Sequence, residues 1–124
     1  MTQAIVLFAH GARDPRWAEP FEAVAAQVHA AAAGREVVLA FLELMTPSLA
    51  EAIDRLAAAG ATQIDVVPLF LGTGGHLRRD LPALVEAAKR AHPALAIRLH
   101  AAIGEHAAVV EAMARAAVTA AFGE

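Results

Sequence analysis

The chain has 124 residues, a length that suits one domain built around one hydrophobic core. It contains no cysteine, which excludes disulfides, thiolate metal ligands and cysteine nucleophiles and fits a reducing compartment. The formal net charge of −3 at pH 7 argues against a broad nucleic-acid-binding face.

Charged residues interrupt the chain before the roughly 18 consecutive apolar residues that a membrane span needs, so we expect a cytoplasmic protein. The apolar run from Ala4 to Ala9 is too short for the core of a signal peptide and instead predicts a first buried strand. Four strand-then-helix units then follow without a linker. The predicted strands cover approximately Gln3 to Ala9, Glu36 to Leu42, Gln63 to Phe70 and Ala94 to His100.

The first two predicted helices have apolar residues at helical spacing. Asp14 is the expected N-cap of the first helix, Pro15 takes its first position, and Gly34 ends it. Thr46-Pro47 is expected to cap the second helix, which Gly60 ends. The predicted inward stripes are Trp17, Phe21, Val24 and Val28 in the first helix and Leu49, Ile53 and Leu56 in the second.

The last two helices are predicted in the same way. Asp80 is the expected cap of the third helix, with Pro82 in its first turn and His92-Pro93 at its end. The fourth helix is expected to start near Gly104-Glu105. The residues expected to be buried are Leu81, Leu84, Val85 and Ala88 in the third helix and Val109, Val110, Met113 and Ala117 in the fourth.

This alternation predicts an α/β fold, a three-layer sandwich in which helices cover both faces of a four-stranded parallel sheet. Right-handed crossovers leave few topologies, and the favoured strand order is 2-1-3-4. Strand 2 then lies on one side of strand 1, and strands 3 and 4 lie on the other. The direction in which successive strands are added to the sheet therefore reverses between strands 1 and 3. Ligands of open α/β sheets bind outside the carboxyl ends of the strands at such a point.

Three polar side chains are predicted to meet there. His10 follows the first strand, Glu43 follows the second, and His76 follows a glycine-rich loop after the third. Neighbouring strands lie about 4.8 Å apart, so these residues could share one crevice. Imidazole binds divalent metals and titrates near neutral pH, which predicts a metal-handling or proton-moving centre.

Other residues near these loops suit an anionic ligand. The segment Gly72-Thr73-Gly74-Gly75 exposes backbone N–H groups, although a flexible turn explains it equally well. Four arginines flank the histidine loops and form a candidate anion-binding rim; the alternative is that they are solvated and paired with Asp14 and Asp80. They are Arg13, Arg16, Arg78 and Arg79. His100 and His106 are a weaker candidate for a second metal site.

Several familiar motifs do not occur in the chain. It contains no G-x-x-x-x-G-K-[ST], no G-x-G-x-x-G, no G-x-S-x-G and no H-E-x-x-H. These absences weaken nucleotide-binding and hydrolase interpretations.

The ordered segments resemble a known family. They are His10-Gly11-Ala12-Arg13, Phe41-Leu42-Glu43 with Pro47 after it, and Pro68-Leu69-Phe70-Leu71 through Gly75-His76 to Asp80-Leu81-Pro82. This set resembles the short CbiX-type sirohydrochlorin chelatases of the class II chelatase group, which also contains ferrochelatases. The resemblance covers essentially the whole chain and implies a single chelatase domain over residues 1–124, a flavodoxin-like half-lobe. Ala12 stands where the family often has serine, which removes one side-chain hydrogen bond.

The resemblance implies ATP-independent insertion of Co²⁺ or Fe²⁺ into sirohydrochlorin, with the cobalt product serving cobalamin biosynthesis and no nucleotide cofactor. It implies that His10 and His76 bind the metal and that His10 also accepts a pyrrole proton. Substrate contacts are expected from Arg13, Glu43, Phe70, Leu71, Gly72, Thr73, Gly74 and Gly75. One domain of this size offers one wall of a macrocycle-sized cleft, so a homodimer is expected to supply the second.

Two kinds of alternative stay open at this point. The metal could be Fe²⁺, for sirohaem, or Ni²⁺, because histidine and carboxylate ligands accept all three ions. A different class of protein, a metal or tetrapyrrole carrier without catalytic turnover, could use the same scaffold. A base and metal ligands at one end of the sheet favour the enzyme.

Overall fold

The computed structural model describes residues 2–123. Four strands alternate with four α-helices. The strands are β1 (Gln3–Ala9), β2 (Glu36–Phe41), β3 (Gln63–Pro68) and β4 (Ala96–Leu99). The helices are α1 (Glu19–Ala31), α2 (Leu49–Ala58), α3 (Gly75–Ala91) and α4 (Ala107–Phe122), and two short 3₁₀ helices, Pro15–Ala18 and Ile103–Glu105, precede α1 and α4.

The sheet confirms the predicted topology. All pairings are parallel and the strand order is β2-β1-β3-β4. Successive side chains of a strand point to opposite faces, so each strand contributes to two layers. The face carrying Val6, Phe8 and Val66 packs against α2 and α3 and forms the larger hydrophobic cluster. No helix within residues 2–123 is long and apolar enough to cross a membrane.

The second face of the sheet is covered only in part. Ala9 and Phe41 pack there with Ala18, Trp17 and Phe21, which the Pro15–Ala18 turn and α1 supply. Over β3 and β4 the same face carries polar side chains, and α4 packs mainly against the 3₁₀ helix Ile103–Glu105 rather than on the sheet. The third layer predicted from the sequence is therefore complete over β2 and β1 only.

The predicted bounds of the first two helices need correction. Asp14 accepts a hydrogen bond from the Arg16 amide, as a cap does, but it begins the 3₁₀ helix, and α1 starts at Glu19. Val24 is exposed rather than buried. Ser48, not Thr46-Pro47, caps α2 in a reciprocal pair of hydrogen bonds with Glu51. The serine hydroxyl accepts a hydrogen bond from an amide of the first helical turn, whereas a proline side chain has no acceptor to offer.

The third and fourth helices depart further from expectation. α3 begins at Gly75 with Gly74 as its cap, so Asp80 and Pro82 lie inside the helix. Leu81 and Val85 are buried as predicted, whereas Leu84 is 40% exposed.

α4 begins at Ala107, two residues beyond the predicted start, and none of its residues is buried. Val109 is only half-buried, and Ala117 is exposed. Val110 is 57% exposed and Met113 is 50% exposed. The stripe expected to be buried therefore faces outward, because α4 lies beside the sheet instead of on it.

Candidate functional site

His10 lies where β1 ends, at the carboxyl edge of the sheet. Its Nε2 atom is 3.9 Å from Oε2 of Glu43, and the two side chains are 49% and 52% exposed. The separation is too long for a hydrogen bond, but it is short enough for electrostatic attraction once the imidazole is protonated. A half-exposed imidazole beside a carboxylate can accept a proton from a bound molecule and keep the resulting charge balanced.

Backbone hydrogen bonds hold the loops carrying these two residues together. The Leu42 amide donates to the Ala9 carbonyl at 2.9 Å, and the Glu43 amide donates to the His10 carbonyl at 3.1 Å. Gly11 has a φ of +99°, and a Cβ at this position would overlap the Glu43 carbonyl. Glycine is therefore required for the close approach that places Glu43 beside His10.

Phe70 forms the apolar side of the site. It follows β3, is 7% exposed, and lies edge-on to the His10 imidazole with ring centroids 6.1 Å apart. After Phe70 the chain turns outward, so that Leu71 is 64% exposed. Gly72, Gly74 and Gly75 are exposed and Thr73 is half-buried, which leaves this loop open to a ligand.

His76 lies in the first turn of α3, not in a loop. Its side chain is 90% exposed, and its Nδ1 atom is 3.4 Å from Oδ2 of Asp80, one turn along the same helix. No three His, Asp or Glu side chains within residues 2–123 cluster closely enough to hold a metal ion. One chain thus presents His10 with Glu43 and, separately, His76 with Asp80, rather than a closed metal site.

The candidate arginine rim divides into two groups. Arg16 is bound to Asp14, with Nη2 and Oδ2 3.0 Å apart, as the alternative interpretation expected. Arg13, Arg78 and Arg79 are exposed and form no ion pair with any acidic side chain in residues 2–123. Only these three can meet an anionic ligand without first breaking an internal pair.

His100 belongs to a network that sequence reasoning missed. Oδ1 of Asp65 accepts hydrogen bonds from Nε of Arg98 and Nε2 of His100, each at 2.8 Å. Partial burial raises the pKa of Asp65, but the hydrogen bonds from Arg98 and His100 outweigh it and hold that pKa below its ordinary value. His100 and His106 line one cavity of about 500 Å³, yet no three-ligand metal cluster forms there either. The feature of the sequence that could have indicated this network is Asp65, an acidic residue between the apolar residues Ile64 and Val66 of one strand.

Comparisons with known proteins agree with this fold. The profile of the CbiX family matches residues 4–120. A sirohydrochlorin cobaltochelatase of Methanopyrus kandleri is 37% identical over 82 residues, which are 66% of this chain and 57% of that protein. The chain therefore aligns with less than two thirds of this curated relative.

Two solved structures share the fold along nearly the whole chain. A cobalamin (vitamin B12) biosynthesis CbiX protein from Marinobacter aquaeolei VT8 superposes with a TM-score of 0.86 at 34% identity, covering 98% of this chain and 99% of that one. The sirohydrochlorin chelatase SirB from Bacillus subtilis subspecies spizizenii, in complex with cobalt, gives a TM-score of 0.82 at 30% identity. That match covers 93% of this chain but 49% of SirB.

Proposed function

The chain belongs to the CbiX family, and from that premise we propose that it is a sirohydrochlorin chelatase that inserts Co²⁺ without ATP, for cobalamin biosynthesis in the cytoplasm. The observation that carries the proposal is the pairing of His10 with Glu43 at the carboxyl end of the sheet. Cobalt is favoured because the Methanopyrus relative is named a sirohydrochlorin cobaltochelatase.

The chemistry requires a base at this position. Metal entry into a free-base tetrapyrrole replaces two pyrrole N–H protons, and each proton must be accepted as a metal–nitrogen bond forms. In the proposed mechanism the neutral His10 imidazole takes the first proton, passes it to solvent from its exposed edge, and then takes the second. The Glu43 carboxylate, 3.9 Å away, then stabilises the imidazolium.

His76 is proposed to present the metal. Asp80 faces its Nδ1 atom at 3.4 Å, which leaves Nε2 for the ion. A carboxylate partner on the second ring nitrogen orients a metal-binding imidazole and makes it a better ligand. A metal ion that must be transferred to the macrocycle is best held at an exposed position by few protein ligands. A closed site with four ligands would retain it.

The substrate contacts follow from the remaining predicted residues. Phe70 supplies an apolar surface beside His10, and the open segment from Leu71 to Gly75 borders it. We propose that Arg13, Arg78 and Arg79 attract the peripheral carboxylates of sirohydrochlorin, since no acidic side chain within residues 2–123 forms an ion pair with them. Residues 1–124 would then act as one chelatase domain.

The second wall of the cleft is proposed to come from a second copy of the chain. The match to SirB spans about half of that protein, which fits one lobe of a two-lobed chelatase. α4 exposes Val110, Met113, Val118 and Phe122 by 50–75%, an apolar excess that association would cover. We therefore propose a two-fold homodimer with α4 in its interface.

The direct test is an absorbance assay of the purified protein with sirohydrochlorin and Co²⁺, Fe²⁺ or Ni²⁺ in turn. Fastest conversion with Co²⁺, above the rate of metal and sirohydrochlorin alone, is the expected result. Faster conversion with Fe²⁺ or Ni²⁺ would transfer the assignment to that metal. Binding of either ligand without conversion would indicate a carrier and contradict the proposal.

A further inference from the structure

The Phe70 ring is the side chain against which His10 packs. The His10 and Phe70 rings are inclined at 73°, and Phe70 meets the fully buried Phe8 in a similar edge-on contact at 6.0 Å. The direction of the imidazole therefore depends on where Phe70 is held.

Phe70 is held through its backbone by a residue far along the chain. The Gly104 amide donates a hydrogen bond to the Phe70 carbonyl at 2.9 Å. Gly104 also lies so close to Leu71 that a Cβ would overlap the backbone oxygen, carbonyl carbon and Cα of that residue. Because the Leu71 side chain is exposed, the contact with Gly104 restrains this loop from the backbone side.

We propose that Gly104 is a positioning residue for His10, acting through Phe70. The 3₁₀ helix Ile103–Glu105 clamps Phe70 and Leu71, which follow β3. This clamp fixes the Phe70 ring, and the ring fixes the imidazole. Only glycine permits this approach, since a methyl group must displace the Leu71 backbone and cores transmit such shifts. The consequence for catalysis rests on the proposed chelatase function, whereas the geometric relation does not.

The variant that tests the clamp is Gly104→Ala. Phe70→Leu removes the ring while keeping an apolar side chain. Glu105→Ala is the matched control, because it alters the same short helix while leaving the hydrogen bond from Gly104 to Phe70 and the contact of Gly104 with Leu71 in place. The readout is the imidazole Cε1–H resonance of His10 in isotope-labelled protein, assigned with His10→Asn. The other five histidines serve as internal references.

Gly104→Ala and Phe70→Leu are expected to shift the His10 resonance selectively, and Glu105→Ala is expected to leave it in place. Displacing a catalytic group by about 1 Å can cost on the order of 10²-fold in rate, so kcat should fall towards that extent. A His10 resonance that stays in place in folded Gly104→Ala, or that shifts no more than the other histidines, would overturn the proposal.

Two further measurements test the role of Gly104 if the variant does not fold or the native protein inserts no metal. If Gly104→Ala does not fold, a through-hydrogen-bond coupling between the Gly104 nitrogen and the Phe70 carbonyl carbon in the native protein tests the clamp, and its absence overturns it. If the native protein inserts no metal, the proposed function fails, but the His10 resonances still decide the positioning role.

Discussion

His10 combines two properties that a proton acceptor for metal insertion needs: an exposed ring edge and a nearby carboxylate. Its place at the end of β1 follows from a strand that is buried almost throughout and a glycine that permits the Glu43 loop to approach. His76 has a different environment, on an exposed helical turn with Asp80. In the proposed mechanism the two histidines serve one insertion step, His10 as the proton acceptor and His76 as the residue that presents the metal.

His10→Ala is expected to lower the rate of Co²⁺ insertion by about 10²- to 10⁴-fold, the usual cost of losing a positioned base. The protein should stay folded because the side chain is half exposed. Single-turnover absorbance with sirohydrochlorin measures the rate, and His29→Ala on the exposed surface of α1 is the control. Near-native turnover of His10→Ala would remove this residue from the mechanism.

His76→Ala is expected to weaken Co²⁺ binding and to reduce the insertion rate. Adding His10→Ala to it should cost little more, since residues that act as one unit have non-additive effects. Titration calorimetry with Co²⁺ and the insertion rate check this in the two single variants and the double variant. Losses that multiply in the double variant would show that the residues serve separate sites.

The strands and helices were predictable to different degrees. The sheet order followed from four apolar runs separated by helical segments, because a parallel sheet with right-handed crossovers allows few alternatives. The predicted start of α3 was wrong because Asp80 and Pro82 are strong local start signals. The apolar stripe of Leu77, Leu81 and Val85 instead extends the helix back to Gly75, more than one turn earlier. Tertiary packing here outweighs local capping preference.

The contacts of Phe70 and Asp65 could not be predicted for a different reason. Gly104 lies far along the chain from Phe70, and periodicity carries no information about which loops meet. The Asp65 network likewise joins β3 to β4, because Asp65 and Arg98 are paired across these two strands. A local pattern shows that Asp65 is unusual in its strand, but only the strand order supplies its partners.

Asp65→Asn is expected to destabilise the β3–β4 edge at neutral pH by about 1 kcal/mol, the scale of a partly exposed charge-assisted pair. Because the pKa of Asp65 is lowered in the folded state, its contribution is present above the unfolded pKa of about 3.9 and is lost as the pH falls through the folded value. Urea unfolding at pH 7 and near pH 3 should show the difference shrinking at low pH, with Glu22→Gln as the control. A difference that is unchanged between the two pH values would contradict this assignment.

At the scale of the whole molecule, the two faces of the sheet are covered unequally. Its sheet is covered on one face by α2 and α3, its other face is only partly covered, and α4 presents an apolar stripe outward. The sequence predicted a buried stripe on α4, but Val110 and Met113 of that stripe are exposed. An apolar pattern indicates which side chains favour burial and does not identify what covers them. In the proposed dimer, a second copy of the chain covers the stripe.

Met113→Glu is expected to shift the protein towards monomer at micromolar concentration and to lower the insertion rate, because it places a charge on the exposed apolar stripe. Ala108→Glu adds the same charge on the opposite side of α4 and should leave the dimer intact. Sedimentation velocity distinguishes the species. A Met113→Glu variant that remains dimeric would exclude this face from the interface.

In the proposed dimer, two copies of this chain form one metal-inserting site. The initial rate of Co²⁺ insertion per chain, measured against protein concentration, tests whether the site is shared. We predict a rate above the protein-free background that rises with concentration and levels off where the dimer is fully formed. A rate per chain that stays constant down to concentrations at which the protein is monomeric would contradict the shared site. A rate equal to the background at every concentration would contradict the chelatase function itself.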